Sequence, residues 1–346
     1  MNPHAKLISV VSIILGSLIT MSSNHWVLAW AGLEINTLAT IPLISKHHHP
    51  RAVEASIKYF LVQASASALI LFSSMINAWS TGQWDITQLT NPTASLILTT
   101  AVCMKLGLAP FHFWFPEVLQ GTSLLTALLL STAIKLPPLI ILTLTSPSLN
   151  PLLLTTLAIA STAVGGWMGL NQTQIRKIMA FSSISHLGWM VAIIIYDPKL
   201  TILTFSLYAI MTAPVFLSLN TTKSTKLPTL LISWTKSPAI NASLMLTLLS
   251  LAGLPPLSGF LPKWVILQEL TTQEMTPLAI IISMLSLLGL FFYLRLTYHA
   301  TITLPPNTSN HMKTWNMNKP TNTFTAILTS ISITILPLSP MIISML

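Results

Sequence analysis

Charged residues are scarce in this chain of 346 residues. Lys, Arg, Asp and Glu make up only 7% of the sequence, whereas hydrophobic residues make up 52%, and the mean hydropathy is +0.74. About a quarter of the residues in a soluble domain are charged. The composition therefore excludes an ordinary soluble protein. The apolar residues come in blocks of about 20, each long enough to cross a bilayer as a helix.

Cysteine and nucleotide-binding motifs are also lacking. Cys103 is the single cysteine, which excludes an intrachain disulfide and any iron–sulfur or zinc site held by cysteines. The chain has no Walker motif, no GxGxxG sequence and no nucleophile elbow, so we expect no nucleotide, flavin or metal site. His47, His48 and His49 precede Arg51, and we interpret them as part of a solvated basic loop.

The apolar blocks predict an all-α polytopic membrane protein, since the short alternating segments of a β-barrel do not occur. We predict about eleven transmembrane helices, at residues 3–21, 25–44, 56–79, 93–117, 122–145, 151–170, 177–196, 200–219, 240–267, 277–298 and 323–345. When the intervening loops are numbered alternately, nearly all basic residues fall on one face, with Lys199 as the exception. This positive-inside asymmetry places the amino terminus on the positive face and the carboxyl terminus on the other.

Five charged residues remain inside the predicted spans: Glu34, Lys105, Glu117, Lys135 and Lys263. A lysine near the bilayer centre costs about 2.5–3.5 kcal/mol. Desolvation favours the neutral form of a lysine and a nearby carboxylate favours the charged form, so such a group can exchange a proton near neutral pH. These residues are therefore candidates for a proton relay, with a structural ion pair between helices as the alternative. Glu117, near the end of its span, fits an interfacial position better.

Two stretches of the chain are similar in sequence at an offset of 146 residues: GLAPFHFWFPE at 107–117 and GLPPLSGFLPK at 253–263. Prolines inside a span break the helix, and the freed carbonyl groups persist only where protein or water satisfies them. The copies lie five predicted spans apart, and an odd number inverts the second copy in the membrane. We therefore predict a first inverted repeat at 1–146 and a second at 151–299, each of five helices with one broken helix. A final transmembrane helix at 323–346 completes the single membrane domain.

His112 and His186 lie in apolar segments. Histidine can relay protons near neutral pH. A lone buried histidine can equally be a hydrogen-bonded packing residue, and the sequence leaves both interpretations open.

Several long motifs of the chain match those of a known family. KLGLAPFHFWFPEVLQG at 105–121, QTQIRKIMAFSSISHLGWM at 172–190, LSLAGLPPLSGFLPKW at 249–264 and WAGLEINTLA around Glu34 resemble the antiporter-like subunits of respiratory complex I. The resemblance covers the whole chain. It implies a core subunit of the proton-pumping membrane arm of NADH:ubiquinone oxidoreductase, in the mitochondrial inner membrane, with the amino terminus in the matrix and the carboxyl terminus in the intermembrane space.

The resemblance also implies partners and cofactors. Other membrane-arm subunits, including neighbouring antiporter-like subunits, and membrane lipids are the expected partners, and nucleic acid is not. No cofactor is expected on this chain, because NADH, FMN, iron–sulfur clusters and ubiquinone belong to other subunits of the complex. Bacterial members of the family have fourteen spans, and the three that are missing here would precede Met1.

Residue roles carry over from the family motifs. In the family, a glutamate and a lysine form a pair in the first half, a further lysine connects the half-channels, and a charged residue on the second broken helix completes the path. The resemblance thus assigns Glu34 and Lys105 to the pair, Lys135 to the connection and Lys263 to the second half. His186, within SSISHLGW, is a further candidate for the central hydrophilic axis.

Two other functions fit the residues themselves. A free-standing cation/proton antiporter would show the same inverted repeat. A structural subunit would only hold the membrane arm together, although apolar residues would do so at lower cost than buried lysines.

Overall fold

The computed structural model describes residues 3–45, 49–234, 237–302 and 323–344, and these ranges are almost entirely helical, without a β-strand. The helices are, in chain order, α1 (Pro3–Ser22), α2 (Trp26–Ile44), α3 (Pro50–Thr81), α4 (Pro92–Leu106), α5 (Trp114–Gly121), α6 (Leu124–Ser131), α7 (Leu136–Leu144), α8 (Pro151–Gly169), α9 (Ile175–Ile193), α10 (Pro198–Thr222), α11 (Leu227–Ser233), α12 (Pro238–Ala252), α13 (Phe260–Thr272), α14 (Thr276–Ile302), α15 (Thr323–Thr334) and α16 (Ser339–Ser344). His47 and His48 lie outside the described residues.

Seven segments of the described chain are long and apolar enough to cross a bilayer: α1, α2, α3, the segment 124–144 that contains α6 and α7, α8, α10 and α14. This confirms the prediction of an all-α, multi-pass membrane protein. The predicted spans at 93–117 and 240–267 are each divided between two shorter helices. The total of eleven spans stays a prediction.

Helix α9 occupies the centre of the fold. It has 19 residues, most of them buried, and packs against α5, α8, α10, α13 and α14. It is absent from the apolar set: its first turn carries Arg176 and Lys177, and its middle carries Ser182, Ser183, Ser185 and His186. Each of the three serine hydroxyls donates to the carbonyl three residues earlier in the helix. A polar helix of this kind is tolerated at membrane depth because protein surrounds it.

A glycine brings α8 close to this polar turn. A Cβ on Gly165 would lie 2.7 Å from the Ser185 backbone nitrogen, so a larger residue would push α8 and α9 apart. The close approach shields the polar residues of α9 from lipid.

The two similar motifs, at 107–117 and 253–263, lie in two broken helices of the same design. Helices α4 and α12 each have 15 residues and end before a glycine in the left-handed conformation, Gly107 (φ 74°) and Gly253 (φ 81°). Glycine adopts this conformation without the steric cost that other residues meet. Non-helical segments at 107–113 and 253–259 follow, before α5 and α13 begin. The predicted breaks are confirmed. The inverted relation of the repeats at 1–146 and 151–299 stays a prediction.

A third interruption, at residues 132–135, separates α6 from α7 and ends at Lys135. Pro137 and Pro138 follow in the first turn of α7, where the missing proline N–H groups have no helical partner to lose. The interruption places Lys135 at a helix start in the middle of a segment that otherwise reads as one apolar span.

The end of the chain is less regular than a single helix over 323–346. Helix α15 gives way to a 3₁₀ turn at Leu336–Leu338 before α16 begins. Pro337 and Pro340 lack the N–H groups that a continuous α-helix needs. The Ser258 hydroxyl, in the second break, donates to the Ser332 carbonyl and so joins α15 to that break.

Candidate functional site

Lys135 lies in the centre of the protein and is only 2% exposed. Its Nζ donates a hydrogen bond of 3.0 Å to the Ser183 hydroxyl on α9 and lies 3.8 Å from the centre of the Phe115 ring on α5. No carboxylate of the described residues is within ion-pair distance of it. A hydrogen bond to a charged group contributes about 1.5–3 kcal/mol and a desolvated cation–π contact about 2 kcal/mol. Together these offset the cost of placing a lysine at this depth, about 2.5–3.5 kcal/mol.

Lys105 and Glu34 are buried near each other without direct contact. Lys105 is 4% exposed in the last turn of α4, where the helix C-terminus favours a cation. Its Nζ and the buried Oε2 of Glu34, on α2, each have no hydrogen-bond partner, and the two groups are not within ion-pair distance. Opposite charges attract beyond ion-pair distance in a low-dielectric interior. The pair assigned from the family motifs is therefore separated by a gap.

Protein side chains satisfy the carbonyl groups that the first break frees. Gln63 Nε2, on α3, donates to the Lys105 carbonyl at 3.3 Å, and Trp114 Nε1 donates to the Met104 carbonyl at 3.1 Å. These two contacts hold the end of α4, and Lys105 with it, in a fixed position.

Lys263 performs the same task at the second break with its own ammonium group. It lies in the first turn of α13, and its Nζ donates a 2.7 Å hydrogen bond to the carbonyl of Ala252, the last residue of α12. The side chain lies over Gly253, where a Cβ would come 2.8 Å from Nζ. Gly253 thus serves both the left-handed turn and the lysine that packs on it.

His186 and Lys263 line one small cavity between α8, α9, α12 and α14. The cavity has about 20 Å³ of space, enough for one water molecule. Its polar lining consists of Thr162, Ser185, His186, Lys263, Ser286 and Tyr293. His186 is partly buried, and its ring lies 5.2 Å from that of Tyr208 on α10. The arrangement joins two of the predicted residues through a polar space.

Helix α9 connects this cavity to Lys135. Ser183, which accepts from Lys135, is three residues from His186 and so lies on the same helix face. The structure therefore brings Lys135, His186 and Lys263 together along α9. No hydrogen bond or ion pair of the described residues joins Lys105 to Lys135.

Comparisons with known proteins agree with this architecture. Residues 23–289 match the family model "NADH:quinone oxidoreductase/Mrp antiporter, TM", and residues 290–343 match "NADH dehydrogenase subunit 2 C-terminus". NADH-ubiquinone oxidoreductase chain 2 of Struthio camelus is 75% identical over 344 residues, 99% of both chains. The chain belongs to the NADH-ubiquinone oxidoreductase chain 2 family. The chain 2 of Gallus gallus is also 75% identical, over the full length of both chains.

The fold of this chain 2 family member is shared with a more distant solved structure. A chain of respiratory complex I from Thermus thermophilus superimposes with a TM-score of 0.83 and 24% identity, covering 97% of this chain and 80% of that one. The region that matches the subunit 2 C-terminal family model begins inside α14 and includes Tyr293 and Arg295. The Arg295 guanidinium donates to the carbonyl of Leu170, the residue after α8. Of the residues that line the cavity at Lys263, Tyr293 lies in the region that matches the subunit 2 C-terminal model.

Glu117 lies apart from the central residues of this chain 2 family member. Its carboxylate is 2.6 Å from Lys58 Nζ, which also contacts Glu54 at 2.5 Å, and the three side chains are 41–61% exposed. An exposed position agrees with the interfacial interpretation. His112 is buried in the first break, and neither ring nitrogen has a hydrogen-bond partner.

Sequence reasoning missed the hydroxyl groups between the charged residues. Ser183 contacts Lys135, Tyr208 lies beside His186, and Tyr293 lines the cavity beside Lys263. The only local signal was the concentration of serine around His186 in an otherwise apolar helix. Among the described residues, no group of three His, Cys, Asp or Glu side chains could hold a metal ion.

Proposed function

We propose that this chain moves protons across the mitochondrial inner membrane along a path formed by Glu34, Lys105, Lys135, His186 and Lys263. As a member of the chain 2 family, it is a subunit of NADH:ubiquinone oxidoreductase, respiratory complex I. The observation that carries the proposal is the position of Lys135. Its buried ammonium contacts α9 one turn from His186, which shares a cavity with Lys263.

The contacts of Lys135 suit a group that gains and loses a proton. Its partners, Ser183 and Phe115, are both neutral, so the loss of the proton leaves no unpaired carboxylate in the interior. Burial in an apolar interior disfavours the charged form, whereas these two contacts favour it, so the surroundings of the lysine set the balance between the two protonation states. A small electrostatic change nearby can then select one of them.

Charge changes at neighbouring groups are large enough for that selection. A unit charge about 8 Å away contributes about 2 kcal/mol at an effective dielectric constant of about 20. This shifts a protonation equilibrium roughly thirtyfold. Protonation of one member of the path therefore biases the next, and the gap between Glu34 and Lys105 is a place where such a bias acts without a direct bond.

The driving energy comes from elsewhere in the complex. We assign NADH, FMN, the iron–sulfur clusters and ubiquinone to other subunits, and no cofactor to this chain.

Neighbouring antiporter-like subunits and membrane lipids would cover the exposed apolar residues of α1 and α14, such as Ile8, Leu18, Met284 and Phe291. The positive loops then face the matrix, with the amino terminus there and the carboxyl terminus in the intermembrane space.

The chain 2 assignment favours a complex subunit over a free-standing antiporter. Native electrophoresis after mild detergent extraction separates the two, because a complex subunit migrates in a very large assembly and a free antiporter in a small oligomer. Migration of the chain as a small oligomer would contradict the assignment.

The decisive test replaces Lys135 by methionine in the assembled complex. We expect the Lys135→Met complex to pump fewer protons per NADH oxidised, because the central exchangeable proton is gone. Lys223→Met is the matched control, since Lys223 is exposed in the loop after α10. Normal pumping by an assembled Lys135→Met complex would reject a path through this residue.

A further inference from the structure

The Ser183 hydroxyl that contacts Lys135 donates its own proton to the backbone. The Ser183 hydroxyl accepts from Lys135 Nζ at 3.0 Å and donates its own proton to the Ala180 carbonyl at 2.7 Å. A serine hydroxyl has a single proton to donate, and a backbone carbonyl cannot pass a proton on. Ser183 by itself therefore links Lys135 to the backbone and not to His186.

Tyr208 provides the missing connection from the facing helix α10. It is 2% exposed, its hydroxyl lies near the Ser183 side chain without a hydrogen bond to it, and its ring lies 5.2 Å from the His186 ring at a tilt of 42°. Ser183 and His186 are three residues apart on α9, and Tyr208 spans that turn. A phenol hydroxyl both donates and accepts, so it can replace the Ala180 carbonyl as the acceptor of the serine proton.

We propose that Tyr208 relays a proton between Lys135 and His186 by way of the Ser183 hydroxyl. This inference rests on the proposed function and adds a residue to its path. In the transfer, the Lys135 ammonium gives a proton to Ser183 Oγ while the serine proton passes to the Tyr208 oxygen. The original Tyr208 proton passes to an imidazole nitrogen of His186. Lys135 becomes neutral, His186 becomes a cation, and both hydroxyls stay neutral.

The neutrality of the hydroxyls is what makes the route feasible at this depth. A separate tyrosinate or protonated serine would be an isolated buried charge, which is very costly in an apolar interior. A concerted transfer avoids both. Rotation of the two hydroxyl groups back to their starting orientation resets the link for the next proton.

Beyond His186, the cavity beside Lys263 continues the path. Tyr293, on α14, lines that cavity together with His186 and Lys263, and the space has room for one water molecule. Once the Lys263 ammonium has released a proton, its neutral amine can accept the next one from His186 within this small polar space.

A packing role alone would not require the Tyr208 hydroxyl. Phenylalanine would fill the same space against Phe205 and His186, whose rings are 6.3 Å and 5.2 Å away. Burial of a hydroxyl is unfavourable unless it is hydrogen-bonded. The two interpretations therefore differ in what the loss of a single oxygen atom does.

The test uses Tyr208→Phe in the assembled complex, with Tyr298→Phe on α14 as the control because Tyr298 is 63% exposed. We expect pumping-coupled turnover of Tyr208→Phe to fall by about a hundredfold or more, the lower end of the range for loss of a proton-transfer group. We also expect a larger solvent deuterium isotope effect, because proton transfer becomes rate-limiting. Turnover within twofold of the unmodified complex, with an unchanged isotope effect, would overturn the relay.

A second variant tests whether both hydroxyls act in one link. Ser183→Ala and the double variant Tyr208→Phe/Ser183→Ala complete a cycle, and a shared link makes the double variant no slower than the slower single variant. Multiplied effects would reject it. Lys135→Met separates the two hypotheses: if Lys135→Met pumps normally, the proposed function fails, whereas impaired Lys135→Met with normal Tyr208→Phe refutes only the relay.

Discussion

Lys135 Nζ donates to the hydroxyl of Ser183, a residue 48 positions away in the chain, at 3.0 Å. The contact joins the interruption between α6 and α7 to the polar turn of α9. The lysine thus belongs in sequence to the predicted first repeat and makes its hydrogen bond in the second. A change in its protonation therefore alters the electrostatic environment in both predicted repeats.

The aromatic contact of Lys135 gives a first prediction. Phe115→Leu removes the ring that lies 3.8 Å from Nζ and with it about 2 kcal/mol of stabilisation of the charged form. We expect less proton pumping per NADH oxidised at normal assembly. Phe113→Leu is the control, because Phe113 is 65% exposed and not in this contact. Equal pumping by the two variants would show that the cation–π contact is irrelevant.

The glycine under Lys263 gives a second prediction. Gly253→Ala places a Cβ 2.8 Å from Lys263 Nζ and adds the strain of a left-handed alanine, about 1–2 kcal/mol. We expect the lysine to leave the Ala252 carbonyl and pumping to fall, as measured by proton uptake in reconstituted vesicles.

Gly82→Ala is a closely matched control for this substitution. Gly82 has φ 72° after α3, and a Cβ there meets no atom within 4 Å. The variant carries the same backbone strain without the contact to a lysine, so it is expected to lose stability and keep pumping. A loss of pumping in both variants would assign the effect to backbone strain alone.

The end of α4 gives a third prediction. Gln63→Leu leaves the Lys105 carbonyl without its side-chain donor, which costs about 1–3 kcal/mol in a buried site. We expect a lower unfolding temperature of the membrane arm and weaker pumping, because Lys105 loses its fixed position. Gln83→Leu, in the exposed loop after α3, is the control. A variant at Gln63 with an unchanged unfolding temperature would contradict this account of the break.

The two glutamates of the predicted spans, one buried and one exposed, give a fourth prediction. Glu34→Gln removes the charge that acts on Lys105, and we expect impaired pumping. Glu117→Gln removes an exposed partner of Lys58, and exposed ion pairs contribute about 0–1 kcal/mol. We therefore expect near-normal stability and pumping for Glu117→Gln. The measurement is protons translocated per NADH, and the reverse order of the two variants would refute the assignment.

The sequence showed which segments are apolar enough to cross a membrane and where the helices break. Apolar blocks of about 20 residues suffice for a span because the bilayer demands internally paired backbone groups. The breaks follow from Gly107 and Gly253 with the prolines after them, because left-handed turns and missing N–H groups are properties of single residues and their neighbours. The buried charges were visible for the same local reason.

Only the tertiary structure decided which side chains meet. Three features depend on how separate helices pack: the gap between Glu34 and Lys105, the contact of the Ser183 hydroxyl with Lys135, and the cavity shared by His186 and Lys263. Contacts between residues far apart in the chain arise from side-chain volumes and helix crossings, which spacing along one helix does not encode. The sequence therefore placed each lysine in an apolar segment, and the packing around α9 determined which groups lie beside Lys135 and Lys263.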